Sequence, residues 1–85
     1  MRYRLEIDAP AERDLDHLQF AAARRVSEKI LALAHQPRPA GCLKLKDRDS
    51  KWRIRVGTYR IIYEIDDTLR VVTVLQIRHR KDAYR

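Results

Sequence analysis

Two arginines flank a tight turn in the second half of the chain. The tetrapeptide Val56-Gly57-Thr58-Tyr59 has glycine at its first central position, which is typical of a two-residue hairpin loop with a type II′ turn. This loop would place Arg55 directly opposite Arg60. Like charges in that position destabilise a strand pair, whereas an anion bound between them would be favourable, because guanidinium groups match phosphate oxygens. The pair therefore predicts an anion-binding site, unless Glu64 or an aspartate neutralises it.

The same turn assigns the side chains of both strands to two faces, since directly opposed residues share a face. One face would be apolar and form the core beneath the helices; it carries Trp52, Ile54, Val56, Tyr59, Ile61 and Tyr63. The opposite face, called the basic face below, carries Lys51, Arg53, Arg55 and Arg60.

A third strand is expected to extend this pattern. A three-residue turn at Asp66-Asp67-Thr68 would place Leu69 opposite Ile65 and Arg70 opposite Glu64, so that Glu64 pairs with Arg70 rather than with Arg55. Even-numbered positions then join Ile62 on the basic face: Val72, Val74, Gln76, Arg78 and Arg80. A face that is basic at its rim and apolar in its middle suits either nucleobases or an apolar segment of a partner protein.

Positive charge is concentrated in the same part of the chain. The 85 residues include 19 basic and 12 acidic side chains, for a net charge of +7. Residues 1–36 contain six of each sign, so the whole excess lies in residues 37–85, which hold thirteen basic and six acidic residues. This asymmetry is typical of a protein with a polyanionic partner, although a solubilising surface is the alternative.

Other chemistries find little support in the sequence. Cys42 is the only cysteine, which excludes an internal disulfide, and it is more simply a small apolar filler than a nucleophile. No histidines, cysteines and acids show the spacing of metal ligands, so neither a metal nor another cofactor is expected. His17 and His35 fall on predicted helices as surface residues. His79 lies among the arginines but, by strand parity, on the opposite face.

The elements that must position the basic face form one α+β domain over residues 1–85. Residues 1–7 alternate as a half-buried strand, and Asp8 with Pro10 begins a short helix. A second helix is expected from about Ala21 to His35, because Ala22, Val26, Ile30 and Leu33 are spaced three or four residues apart on one face. A three-stranded antiparallel meander follows over residues 51–56, 60–65 and 69–77, and residues 42–46 are a candidate for a short extended segment. The two helices would lie antiparallel and cover one face of the sheet.

The sequence carries no apolar run of signal-peptide length near residue 1, and no stretch approaches the roughly 20 apolar residues that span a bilayer. These features predict a cytoplasmic protein without a membrane partner.

The chain resembles the RelE/ParE toxin superfamily, and the RelE branch in particular. The resemblance rests on Lys44-Leu45-Lys46, on the run WRIRVGTYRIIYEIDD and on the ending VVTVLQIRHRKDAYR, and with the two helices it covers essentially the whole chain. It implies a ribosome-dependent endoribonuclease that cleaves mRNA in the decoding site without a metal. The 2′-hydroxyl attacks the adjacent phosphate, and basic residues stabilise the developing charge.

The resemblance also implies residue roles. The catalytic group would be Arg53, Arg55, Arg60, Arg80 (with Arg78 as second choice) and Tyr84. The remaining RNA contacts would be Lys44, Lys46, Arg48, Lys51, Arg78 and Lys81. Arg53 and Arg55 stand where the best-known RelE branch has lysines, and arginine is a poor general base because it stays protonated. Proton transfer would then fall to Lys46 or Lys51, to Tyr84 or to His79.

Two other functions remain open. One is a ParE-like protein that inhibits DNA gyrase by binding it, and the other is a degenerate toxin that acts as an operator-bound co-repressor with its antitoxin. The arrayed arginines favour the nuclease, because gyrase binding would not require them. All three imply a cognate antitoxin over the basic face, with operator DNA bound only through that complex.

Overall fold

The computed structural model describes residues 2–45 and 51–79, and it contains two helices and five strands over those ranges. They are β1 (Arg4–Ile7), α1 (Ala9–Asp16), α2 (Phe20–Leu33), β2 (Leu43–Lys44), β3 (Lys51–Val56), β4 (Tyr59–Asp66) and β5 (Val71–His79). The α+β prediction is confirmed. Neither helix in this part of the chain is long and apolar enough to cross a membrane.

The strands form one sheet in the order β1-β5-β4-β3-β2. The predicted meander is its centre, since β3, β4 and β5 pair antiparallel with their neighbours. The first strand pairs parallel with the last one described, and the two-residue β2 pairs antiparallel with β3. The sheet is therefore two strands wider than the meander, and β4, which carries Arg60, lies at its middle.

The core lies between the helices and one face of the sheet. Helix α2 contributes Val26, Ile30 and Leu33, which recur at helical spacing as predicted, and they bury against a layer from β3, β4 and β5. That layer comprises Ile54, Ile61, Tyr63, Ile65, Val72, Val74 and Ile77. Each such side chain contributes about 1.5–3 kcal/mol when it leaves water, so the packing holds the helices to this face and leaves the other face accessible.

The connection after α2 is held against the core. The helix ends at Leu33 rather than near His35, because the next amides bond three residues back, from Ala34 to Leu31 and from His35 to Ala32. Pro37 then lies buried, and its carbonyl accepts a 2.8 Å hydrogen bond from the Tyr63 hydroxyl. Burial raises the pKa of Tyr63 well above its ordinary value, so the phenol stays protonated and keeps this bond.

Four side chains, called the Asp67 clasp, join this connection to β3 and to the residues that flank β1 and β4. They are Tyr3, Arg38, Trp52 and Asp67. The Asp67 carboxylate accepts bonds from the Tyr3 hydroxyl at 2.6 Å and from Arg38 Nη2 at 2.8 Å. The Arg38 guanidinium also lies 5.1 Å from the centre of the Trp52 ring. These two bonds hold the pKa of Asp67 below its ordinary value, while the pKa of Tyr3 and that of Arg38 are raised.

We expect Asp67→Asn to lower the free energy of unfolding at neutral pH, since the amide loses the charge that Tyr3 and Arg38 recognise. Because the folded pKa is the lower one, this contribution is complete above the unfolded value of about 3.9 and is lost as the pH falls below it. Denaturant unfolding at several pH values should show the two proteins converging in acid. Asp16→Asn, at an exposed position in α1, is the control; a difference that does not depend on pH would contradict the assignment.

Candidate nucleic-acid interface

The β3–β4 hairpin has the predicted register. Val56 faces Tyr59, Arg55 faces Arg60 and Trp52 faces Tyr63. Gly57 adopts φ 59°, as the first central residue of a type II′ turn requires, and this conformation is unfavourable for other residues. The two arginines are thus held opposite each other by the geometry of the turn.

The β4–β5 register is not the predicted one. The connection spans residues 67–70, so that Ile65 faces Val72 and Glu64 faces Thr73, rather than Leu69 and Arg70. The longer loop is stabilised by an Asp66 carboxylate that accepts the Leu69 amide at 2.9 Å, and it places Arg70 at φ 57°. The prediction that Glu64 pairs with Arg70 is therefore wrong.

The assignment of Val72 and Val74 to the basic face is also wrong, because both are fully buried in the core. Further along, Tyr63 faces Val74 but Ile62 faces Gln76, which leaves Leu75 as the extra residue of a β-bulge. One extra residue reverses the alternation of side chains. Gln76 and Arg78 consequently lie on the basic face as predicted, but only because the bulge reverses the parity that the longer loop gave to β5.

Three arginines lie side by side on the basic face as a result. Arg55 on β3 faces Arg60 on β4, and Arg60 faces Arg78 on β5. We call them the arginine row; adjacent strands lie about 4.8 Å apart, so the row crosses the middle of the sheet. Arg60, at its centre, is only 4% exposed, whereas Arg55 and Arg78 are exposed. The Arg60 guanidinium is therefore shielded from water, where it attracts an anion more strongly than an exposed arginine does.

A pocket of about 270 Å³ opens beside this row. Its lining comprises Gly41, Leu43, Arg53, Arg55 and Arg60. Leu43 reaches the basic face because it is opposite Arg53 in the β2–β3 pair. Three of the five predicted catalytic residues therefore line one cavity, and its size and charge suit a phosphate group.

The other predicted residues have different positions. Lys51 lies on the basic face opposite Glu64, two rows from the arginine row. Lys44 is opposite Trp52 and so belongs to the core-side face, away from the arginines. His79 also faces away: its ring meets that of Tyr59 edge-on, with centroids 5.2 Å apart. Outside the described residues lie Lys46, Arg48, Arg80, Lys81 and Tyr84, whose roles stay predictions.

Asp14 is a positioning residue that the sequence did not reveal. Strand β1 pairs with β5 only as far as Val74, so the later residues of β5 extend past the end of β1. There the Asp14 carboxylate accepts the Ile77 amide at 2.8 Å, which joins α1 to the strand segment that carries Arg78. The only signal was an acidic residue beside the apolar positions Ala11 and Leu15.

The part of the chain that the structure describes contains no candidate metal site. Within residues 2–45 and 51–79, no group of three or more histidine, cysteine or acidic side chains could hold a metal ion. Cys42 is a half-buried free thiol near the core.

A family model for the ParE toxin of the type II toxin–antitoxin system parDE matches residues 5–84. Toxin RelG of Mycobacterium tuberculosis is 33% identical over 86 residues, which cover 100% of this chain and 99% of RelG. The chain belongs to the RelE/ParE superfamily of type II toxins. Toxin RelE of the same organism is 32% identical over 98% of this chain and 87% of its own length.

Solved structures of RelE toxins share the fold. In the RelBE2 toxin–antitoxin complex of M. tuberculosis, the matching chain has a TM-score of 0.82 and 30% identity, over 94% of this chain and 100% of that one. In the RelE–RelB complex of Pyrococcus horikoshii the TM-score is 0.84 at 29% identity, over 94% and 97% of the two chains. This RelE-type toxin therefore keeps the architecture of its relatives over nearly its whole length.

Replacing Arg55 with glutamate should make the toxin more stable and its basic face less attractive to anions. Glutamate opposite Arg60 turns a repulsive pair into an attractive one, worth about 0.5 kcal/mol, or a rise of about 2–4 °C in Tm. Calorimetry and binding to a short polyphosphate would measure the two effects. A Tm that falls, or an affinity that is unchanged, would contradict the view that Arg55 is retained for binding.

Proposed function

We propose that this toxin is a ribosome-dependent mRNA endoribonuclease that inhibits translation in the cytoplasm. The observation that carries the proposal is the arginine row, with Arg53 beside it in the same pocket. Guanidinium groups match phosphate oxygens in geometry and charge, so three arginines in one row suit an anionic ligand. The names of the RelE and RelG relatives support the same activity.

The chemistry follows from what arginines can and cannot do. The 2′-hydroxyl attacks the adjacent phosphate, a cyclic 2′,3′-phosphate forms, and the bond to the 5′-oxygen of the next nucleotide breaks. Guanidinium groups stabilise the charge that builds on the phosphate oxygens, and no metal is needed. They stay protonated and so cannot accept the proton of the attacking hydroxyl.

Among the candidates for proton transfer, two lie in described parts of the chain. Lys51 is on the basic face, although two rows from the arginine row. His79 faces Tyr59 on the opposite side of the sheet, which argues against a direct part in the reaction. We therefore assign proton transfer to Lys51, which lies on the basic face, or to Lys46 or Tyr84, which lie outside the described residues.

The proposed partners are a cognate antitoxin, the ribosome and its mRNA. Complexes of RelE relatives with RelB antitoxins, from M. tuberculosis and P. horikoshii, support the first of these. An antitoxin that covers the basic face would block the arginine row. Operator DNA would be bound only through the toxin–antitoxin complex.

Inhibition of DNA gyrase is the second candidate, because the matching family model is that of the ParE toxin. This function would need a binding surface but no phosphate chemistry. The arginine row favours the nuclease, since its geometry has no evident purpose in gyrase binding.

In a purified translation system, the wild-type toxin should cleave mRNA on the ribosome and leave ribosome-free RNA intact. Arg55→Ala should reduce the cleavage rate about 10²-fold, because one preorganised donor to the transition-state charge is lost. Primer extension on the mRNA measures both results.

Arg24→Ala is the matched control: it removes the same charge from an exposed position on α2, where Arg24 lies 3.8 Å from Glu28. It should cleave at the wild-type rate. Equal losses in both variants would indicate a general effect of charge rather than a site. Intact mRNA with the wild-type toxin would reject the nuclease, and inhibition of gyrase supercoiling would then support the second candidate.

A further inference from the structure

A second cavity lies on the basic face, next to the arginine row. It has a volume of about 390 Å³ and runs across the sheet from the end of β1 to the segment after β2. We call it the cross-sheet groove. Its floor includes Ile62 and Gln76, which face each other on β4 and β5. They belong to the row of residues directly beside the arginine row, about 7 Å along the strands, a distance that one nucleotide can span.

The lining of the cross-sheet groove combines apolar side chains with the polar residues Asp8, Lys51 and Gln76. Leu45 and the bulged Leu75 line it, together with Pro10 from the first turn of α1. Leu45 is held in place because its amide donates to the Lys51 carbonyl at 2.9 Å. These apolar side chains can pack against the face of an aromatic ring, and proteins recognise single-stranded RNA by binding its unstacked bases in this way.

The groove also contains a hydrogen-bond donor, the side-chain amide of Gln76. Arg78 Nε donates to Gln76 Oε1 at 3.3 Å. Arginine has only donors, so the atom that faces it must be the amide oxygen. The NH2 group of Gln76 is thereby directed away from Arg78 and remains able to donate. One arginine of the row thus orients the polar group of the neighbouring groove.

An acceptor lies at the end of the groove beside β1. Asp8 occupies the N-cap position of α1, where its side chain makes no capping hydrogen bond, and the residue lines the groove. The residue itself is fixed, since its amide donates to the Val74 carbonyl at 2.9 Å. A side chain that forgoes its usual capping role is consistent with a ligand that offers a donor.

We propose that the cross-sheet groove binds a nucleobase of the RNA whose phosphate lies on the arginine row, with Gln76 as a specificity-determining residue. This rests on the proposed function and extends it from phosphate binding to base recognition. The base packs against Ile62 and accepts a hydrogen bond from Gln76, while Asp8 accepts from its amino or imino group. The bulge at Leu75 is what places a polar side chain at this position.

The test uses a dinucleoside monophosphate with a 2′-O-methyl group, which cannot be cleaved, and the same compound with one base removed. NMR spectra of the full chain would follow the Ile62 methyl group, the Gln76 side-chain amide and the Arg55 Nε. We expect the complete probe to shift all three signals. The abasic probe should shift only Arg55.

Gln76→Ala should weaken binding of the complete probe about fivefold, as expected for one lost hydrogen bond, and leave the abasic probe unaffected. Thr73→Ala is the matched control, because Thr73 lies on the same strand and face but two rows from the arginine row, opposite Glu64. It should leave binding of both probes unchanged.

The two proposals fail in different ways. If Arg55 responds to both probes while Ile62 and Gln76 respond to neither, the groove is not a base site and the phosphate site stands. If Ile62 and Gln76 respond equally to both probes, base recognition is likewise rejected. If Arg55 responds to neither probe, the assignment of the phosphate to Arg55 is rejected, and the groove is then upheld only by shifts of Ile62 and Gln76 that require the base. The proposed function itself is rejected by intact mRNA in the translation assay.

Discussion

The hydrogen-bond register of the β3-β4-β5 meander is the constraint on which the basic face depends. Gly57 fixes the register at one end through a turn that needs a positive φ. The bulge at Leu75 sets it on the other side of β4. Between them, these two features align Arg55, Arg60 and Arg78, each of which would point into the core if its strand slipped by one residue. Packing of the core on the opposite face stabilises the sheet against the repulsion between these like charges.

Single backbone positions therefore determine which side chains of a strand lie on each face of the sheet. The bulge lets β5 supply Val72 and Val74 to the core and then Gln76 and Arg78 to the basic face within seven residues. Asp14 accepts a hydrogen bond from the Ile77 amide, in the part of β5 that extends past β1. The Asp67 clasp joins the connection after α2 to the loop that follows β4. That connection leads to Gly41 and Leu43, which line the arginine pocket, so contacts remote from the row help to define the shape of its pocket.

Much of this arrangement could be predicted from the sequence, because local patterns determine it. The glycine of the turn gave the β3–β4 register pair by pair, and the spacing of Val26, Ile30 and Leu33 gave the buried side of α2. The β4–β5 register could not be predicted in the same way. Its loop length depends on an Asp66 side chain that bonds the Leu69 amide, and a bulge has no sequence signal when the extra residue is an ordinary leucine. The roles of Asp14 and Asp67 depend on contacts between distant segments, which no periodicity reports.

In the proposed reaction, the arginine row holds the scissile phosphate of an mRNA. A cryo-EM structure of the toxin on a ribosome whose A-site codon carries a 2′-O-methyl group would show this contact. We expect a phosphate of that codon to lie within hydrogen-bonding distance of at least two guanidinium groups among Arg55, Arg60 and Arg78. A toxin bound with its helices toward the mRNA, and with the row facing solvent, would contradict it.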